Sequence, residues 1–449
     1  MSSTTLRLCL MMFLQFFIWG AWYVTVGNYM GAHGMGGAIF WAYTVGPIAA
    51  IISPFFLGLV ADRFFATERV LAAMHILGGV FLMAAPQFTP EPGGSPWPFI
   101  SLLLLHMLCY MPTLGLTNTL AFHNLKSQEK EFPIVRVFGT IGWIVANIVV
   151  SKGLGADKGV EQFYVAGGAG VALGLFSFML PHTPAPDRGK PFRARDALGL
   201  DSLVLLKDRS FLVFVLSSFL ICIPLAAYYN YAPVFADAAG FRNVAFSMSF
   251  GQMAEIVFML IMPLFFVRLG VKWMLVLGMS AWVARYGLFA GAAADGVTWM
   301  IMGGILLHGI CYDFFFVTGF IYVDKKANAK IRGQAQGFLV LVTQGLGMLI
   351  GAQLIGRLVN AYTSDNHDEL LATANTIRGQ AQAATGAEAE ALWSQWDTAM
   401  QGVLAARDWQ TIWLVPCIMA AVILVAFFAL FRDNGRKIRT AASAGKEQT

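Results

Sequence analysis

Charge is scarce in this chain. Lys and Arg total 30 and Asp and Glu 25, together 12% of the 449 residues. That is about half the share an ordinary soluble domain carries. So few ionic groups do not cover the water-facing surface of a soluble fold this large, which excludes one. Paired cysteines are missing too. Cys9, Cys109, Cys222, Cys311 and Cys417 lie singly inside apolar runs, where a thiol behaves as a small hydrophobe, so no disulfide framework is expected. The seven histidines (His33, His75, His106, His123, His182, His308 and His367) show no ligand spacing, which leaves no metal motif and no cofactor to expect. No small-residue cleavage site follows the first apolar run, so that run reads as a retained span and not a signal peptide. The net charge of +5 does not point to nucleic acid.

Apolar sequence is what remains. Hydrophobic residues make up 57% and the mean hydropathy is +0.65. Continuous apolar runs of about 20 residues recur, the length needed to cross a hydrocarbon core roughly 30 Å thick. Lipid offers the backbone no hydrogen-bond partner, so a spanning segment is helix or closed barrel. Runs that do not alternate select helix. They fall at 8–30, 38–60, 70–88, 98–120, 134–152 and 162–181, then at 210–233, 245–267, 272–294, 297–322, 333–358 and 409–431. The expectation is an all-α membrane protein of twelve transmembrane helices. Residues 1–181 form one six-helix half and 210–431 the other, joined by a basic linker at 182–209 and followed by a tail at 432–449.

Basic residues orient the chain. Twenty-two of the thirty Lys and Arg fall in loops on one side, six fall on the other, and Arg136 and Arg285 lie inside spans. Cytoplasmic loops carry the excess, so both termini are read as cytoplasmic. One segment on the opposite side, 359–408, is polar. Its Leu370, Leu371 and Ile377, then Leu392, Trp393 and Trp396, suggest two short amphipathic helices, read as a passive insertion with a gating lid or partner surface as the alternative.

Ionisable groups inside spans cost about 2.5–3.5 kcal/mol at mid-bilayer on insertion scales and mark function by default. Arg136, Glu255, Arg285 and Asp313 stand out. A carboxyl group in such a place resists ionisation, and a nearby arginine opposes that effect. It is therefore suited to load and release a proton as its exposure changes. Arg136, Thr140 and Trp143 share one helix face, Gln252 and Glu255 are three residues apart, and His308, Tyr312 and Asp313 span about a turn. Aromatic faces with amide, carboxylate and guanidinium groups suit a flat heterocycle bearing a hydroxylated sugar.

The loop Gly58-Leu59-Val60-Ala61-Asp62-Arg63-Phe64-Phe65-Ala66-Thr67-Glu68-Arg69 resembles the G-x-L-A-D-R-x-G-R-[KR] signature of the major facilitator superfamily, with Phe65 in place of its second glycine. Gly58 allows close packing. Asp62 can meet a helix N-terminus, and Arg63 and Arg69 can pair across the seam, a latch for one of two alternating states. Six further stretches are similar to the nucleoside:proton symporter family of that superfamily: Leu14-Gln15-Phe16-Phe17-Ile18-Trp19-Gly20-Ala21-Trp22, Tyr110-Met111-Pro112-Thr113-Leu114-Gly115-Leu116-Thr117-Asn118, Phe132-Pro133-Ile134-Val135-Arg136-Val137-Phe138-Gly139-Thr140-Ile141-Gly142, Gln252-Met253-Ala254-Glu255, Ala281-Trp282-Val283-Ala284-Arg285 and Tyr312-Asp313-Phe314-Phe315.

That resemblance implies two pseudo-symmetric six-helix bundles and import of a nucleoside with protons by alternating access. The protein would work as a monomer in a bacterial inner membrane, driven by the proton gradient alone. It assigns Arg136, Thr140, Trp143, Gln252 and Glu255 to the solute, and Asp313 with Glu255 to proton coupling. The family's glutamine and asparagine on the seventh span are replaced: the stretch reads Pro224-Leu225-Ala226-Ala227-Tyr228-Tyr229-Asn230-Tyr231, which makes Tyr229 or Asn230 the solute-facing residue. His308 stands where the family has an aromatic hydroxyl, beside Tyr312. The changed side chains keep a sugar or other glycoside open as the alternative solute. The remaining classes are a membrane enzyme, which lacks a nucleophile or metal cluster here, and a receptor that binds without flux.

Overall fold

The computed structural model describes residues 2–57, 62–91, 93–185, 195, 199–328 and 331–432, and the described chain is helical throughout apart from short turns and one isolated bridge. Among the described residues, ten helices are long and apolar enough to cross a membrane. Nine are single spans: Ser3–Ala32, Gly36–Phe56, Thr67–Phe88, Trp97–Asn124, Lys130–Gly153, Arg209–Ala238, Thr298–Lys326, Arg332–Ala361 and Trp409–Leu430. The tenth, Val244–Ala292, has 49 residues, about 74 Å of helix and more than twice the hydrocarbon thickness. It is two spans joined at Gly270, whose φ of 68° and ψ of −179° are non-helical. A glycine serves here because a side chain disfavours positive φ. The chain doubles back there. A Cβ on Gly251 would meet His308, and the Arg285 Nε donates to the Gly304 carbonyl at 3.0 Å, so both halves of this segment flank the same stretch of the tenth span. The seventeen-residue helix Glu161–Ser177 packs along the third span and is the sixth. Twelve spans result among the described residues, as the hydropathy and charge pattern predict.

Small residues bring the spans together. Lipid tails are as apolar as leucine, so close van der Waals approach drives association in place of water exclusion. Gly139 and Gly142 of the fifth span lie against Phe16 and the Phe13 backbone of the first, and Gly20 of the first faces Trp143. Gly79, Gly167, Gly170 and Gly174 let the third and sixth spans touch backbone to backbone. In the second half, Gly347 and Gly351 seat the eleventh span on the seventh.

The two halves meet along three seams: the second span with the eleventh, the fifth with the eighth, and the first with the seventh. Shifting each number by six exchanges the first two seams and maps the third onto itself, as two pseudo-symmetric bundles require. Thr44 accepts a bond from the Gln353 Nε2 at 2.9 Å in the first seam, and the Asn28 Nδ2 donates to the Pro233 carbonyl at 3.1 Å in the third.

Polar contacts between the halves gather at the end that carries residues 359–408. That segment does form two helices, His367–Ala383 and Gly386–Ala405. They are not a detached insertion. Their ends are pinned together where the Ser364 N–H donates to the Ala406 carbonyl, Trp396 is fully buried, and the first of them touches the first span.

At the opposite end, Gly58 lies outside the described residues, as does the side chain of Asp62. A short helical turn, Asp62–Phe64, leads into the third span, and Arg69 is exposed there. The motif's visible anchor is Glu68. It is buried, accepts the Thr183 N–H at 2.9 Å and lies 2.8 Å from the His182 Nδ1, which ties the start of the third span to the chain leaving the sixth. Of the basic linker, 186–194 and 196–198 lie outside the described residues. It ends in a short helix, Leu200–Lys207, and in Asp208, which caps the seventh span through the Phe211 N–H at 2.9 Å.

Candidate functional site

A cavity lined by side chains of both halves lies between them. The first half contributes two helical stripes. Phe16, Trp19 and Tyr23 stand at i, i+3 and i+7 on the first span, and Arg136, Thr140 and Trp143 at i, i+4 and i+7 on the fifth. The second half contributes Tyr229, Gln252, Glu255, His308, Tyr312, Gln344 and Met348. A cationic, tryptophan-rich wall therefore faces an acidic wall of tyrosine, amide and imidazole.

The tryptophan wall is built from packed rings. Trp19 and Trp143 meet edge to face with centroids 5.7 Å apart and planes at 73°. Tyr110 packs behind Trp19 at 5.6 Å and donates to the Gln15 carbonyl at 2.6 Å. The Gln15 side chain continues inward, donating to the Thr113 Oγ1 at 2.8 Å and meeting the His75 Nε2 at 2.8 Å. This network holds the first span's rotation, and with it the direction of Phe16 and Trp19. Arg136 lies over the Phe16 ring, 4.4 Å from its centroid, and is itself exposed. It stands toward the end away from 359–408.

The opposite wall is built on His308. Its ring stacks on Tyr228 at 5.3 Å and 17°, meets Tyr229 edge-on at 6.0 Å and neighbours Tyr312 at 5.8 Å. The His308 Nε2 is 3.9 Å from the Glu255 Oε2. Behind the stack the Arg285 guanidinium sits 3.9 Å from the Tyr228 ring centroid, fully buried. Arg285 supports this wall from behind and is not among the residues lining the cavity.

Of the residues singled out by sequence, Arg136, Thr140, Trp143, Tyr229, Gln252, Glu255, His308 and Tyr312 line one cavity. Asn230 does not. It is fully buried on the seventh span while its neighbour Tyr229 takes the cavity position. Asp313 is also fully buried and sits just beyond the lining residue Tyr312. Sequence reasoning missed Phe16, Trp19, Tyr23, Gln344 and Met348. An aromatic stripe at helical spacing was the available signal on the first span. On the eleventh it was an amide in an apolar run, beside Thr343. Asp313 and Gln344 both fall in π-helical turns, 313–317 and 341–347, irregularities that occur often at functional sites.

A family model described as "Nucleoside H+ symporter" matches residues 1–436. The putative nucleoside transporter YegT of Escherichia coli (strain K12) is 37% identical, over 97% of this chain and 96% of its own. The xanthosine permease of the same organism is 30% identical over 96% and 97%. The crystal structure of the nucleoside transporter NupG superposes with a TM-score of 0.78 at 28% identity, covering 96% of this chain and all of that one.

Proposed function

The chain belongs to the Nucleoside H+ symporter family, a family of transporters and not of enzymes, and from that premise we propose that it imports nucleosides with protons by alternating access. The observation that carries this reading is the cavity, where the wall of Arg136, Thr140, Trp19 and Trp143 faces Gln252, Glu255, Tyr229 and Tyr312. The base stacks on the aromatic faces, which supplies affinity. The amide, carboxylate and guanidinium groups hydrogen-bond the base edge and the sugar hydroxyls, which supplies selectivity. With Tyr229 at the cavity and Asn230 turned into the protein, the seventh span offers a ring and a hydroxyl to the solute. Tyr228 and Arg285 hold His308 in place behind it.

Proton coupling is assigned to Asp313 and Glu255. A protonated carboxyl is neutral and tolerates the low-dielectric interior, whereas its carboxylate needs water or a partner. Asp313 is enclosed one residue from the cavity wall, and Glu255 is on the wall itself. Movement of the halves that hydrates Asp313 releases its proton, and re-enclosure requires reloading. The moving bodies are residues 1–181 and 210–431, rocking about the mid-membrane site. Gly58, Asp62, Arg63 and Arg69 latch the cytoplasmic seam. The multi-pass chain works as a monomer in a bacterial inner membrane with both termini in the cytoplasm, on the charge bias of its loops.

Uptake of labelled uridine or adenosine into proteoliposomes tests the reading. It should be concentrative under an inward proton gradient and collapse with a protonophore. Gradient-insensitive uptake would remove the symport claim. Competition by sugars but not by nucleosides would replace the solute with a glycoside. Asp313→Asn should lose uphill accumulation while retaining exchange of internal for external solute; uphill accumulation by that variant would take the coupling role from Asp313.

A further inference from the structure

The end of the molecule that carries 359–408 holds four charged side chains in one buried cluster. Asp157 and Lys158 come from the loop between the fifth and sixth spans, in the first half. Asp237 comes from the end of the seventh span, in the second half, and Arg378 from the first helix of the 359–408 segment. Asp157 has no exposure, and the side chains of Lys158, Asp237 and Arg378 are 12%, 6% and 8% exposed. Their formal charges cancel.

The Lys158 bonds run across the divide between the halves, and the Arg378 bonds lie within the second half. The Lys158 Nζ is 2.8 Å from the Asp237 Oδ2 and donates to the Asn375 Oδ1 at 2.9 Å. The Arg378 NH1 is 3.6 Å from the Asp237 Oδ1, and its NH2 donates to the Arg242 carbonyl at 3.0 Å. Arg242 in turn lies over the Trp393 ring at 4.2 Å and donates to the Asp397 Oδ2 at 3.3 Å. The turn between the seventh and eighth spans is thus gripped by both helices of the segment. Asp157 adds a second grip. Its carboxylate accepts the Val244 N–H at 2.8 Å and the Ala245 N–H at 3.2 Å, besides the Ser151 hydroxyl at 2.9 Å. Val244 opens the eighth span, and the preceding Asn243 supplies no side-chain cap. The first N–H groups of a helix have no partner within it. This helix takes its cap, and a carboxylate for its dipole, from the opposite half.

We propose that the helices of 359–408 form a strap that holds the outer gate shut, by gripping the Lys158–Asp237 bridge while Asp157 caps the eighth span from across the divide. Charge suits a gate better than apolar packing does. Closure strips water from four ions, and their mutual attraction returns a comparable amount, so the closed state gains little net. Burial pushes the Asp157 carboxyl up despite its three donors, and pushes the Lys158 ammonium down despite Asp237. When the halves part, all four groups recover water, so neither state traps the protein.

The inference rests on the alternating-access reading, but its test needs no solute, so the two can fail separately. A reporter Val234→Cys is placed in the full-length protein; Val234 is 8% exposed and packs toward Gly27 beneath the cluster. Intact cells are treated with a membrane-impermeant maleimide, with the chain lacking the reporter as background. The reporter protein should label slowly. Adding Arg378→Ala, or the milder Asn375→Ala, should raise the rate roughly tenfold, because the first takes one of two cationic partners from buried Asp237 and the second takes an acceptor from buried Lys158. Asp157→Ala should do the same. The exchange Lys158→Asp with Asp237→Lys should label more slowly than either single change. A labelling rate unchanged in both Arg378→Ala and Asn375→Ala, in protein present in the membrane at the parent's level, overturns the strap. An exchange as fast as the single changes overturns the bridge.

Discussion

The Glu255 carboxylate and the His308 imidazole face each other 3.9 Å apart at the cavity wall, too far for a hydrogen bond and close enough for one solute hydroxyl or water to bridge them. Tyr228 stacks on the His308 ring and the Arg285 guanidinium lies over Tyr228, which sets the plane of the imidazole.

Glu255→Gln removes the charge and keeps the shape. Initial-rate uptake in proteoliposomes should fall at least roughly tenfold in kcat/KM, about 1.4 kcal/mol. His308→Gln should mainly raise KM, since it removes a ring and leaves the carboxylate. Parental kinetics in Glu255→Gln would take this residue out of the site.

The edge-to-face pair of Trp19 and Trp143 gives a second expectation. Trp143→Ala removes a stacking face and loosens Trp19. Solute affinity should drop roughly tenfold, in line with about 1.5 kcal/mol for such aromatic contacts. Trp299 is 69% exposed on the outside of the bundle, and Trp299→Ala should leave affinity unchanged. Titration calorimetry on the purified protein separates the two; equal losses would mean that the drop has no connection with the cavity.

Gly142 tests how the first and fifth spans are held. A Cβ there would run into the Phe13 carbonyl, which is backbone and has no rotamer to yield. Gly142→Ala should destabilise the protein by about 1–3 kcal/mol, the usual result of overpacking. Gly168 on the sixth span faces open space, and Gly168→Ala should be within about 0.5 kcal/mol of neutral. Thermal unfolding in detergent reads both, and a similar midpoint for the two would contradict the packing described.

Asp208 carries a pH expectation. It accepts the Lys326 ammonium at 2.8 Å and the Phe211 N–H at 2.9 Å, and these hold its carboxyl below the ordinary aspartate range. A lowered folded value means that the stabilisation is complete above the unfolded value near about 4 and fades as the pH falls through the folded one. Asp208→Ala should therefore lower the unfolding midpoint at pH 7, by the equivalent of about 1 kcal/mol for a lost cap. The difference from the parent should shrink as the pH is taken below about 4. A difference that is the same at both pH values would assign the effect to something other than this carboxylate.

The twelve spans were legible in the sequence because their causes are local. A lipid-spanning helix needs a length of apolar residues and leaves its basic ends on one side, and both are one-dimensional patterns. Gly270 is a partial case. The loop around it was visible, but its positive φ, which lets two spans run on without an intervening coil, belongs to the folded backbone. Arg136, Glu255 and Tyr312 were also legible as candidates, since a polar group in an apolar run is conspicuous wherever it ends up.

What the sequence left open was rotation. Tyr229 and Asn230 are adjacent, about 100° apart around the helix, and hydropathy does not say which one turns to the cavity. Glycine contacts between helix backbones decide that. The same holds for Arg285, as conspicuous in sequence as Arg136, yet placed behind the wall and not on it. Composition alone determined that this chain crosses a membrane and hides charge within it. Only the tertiary structure decided which of those charges meet a solute and which, like Asp157, Lys158, Asp237 and Arg378, meet one another, because that depends on contacts between segments more than seventy residues apart in the chain.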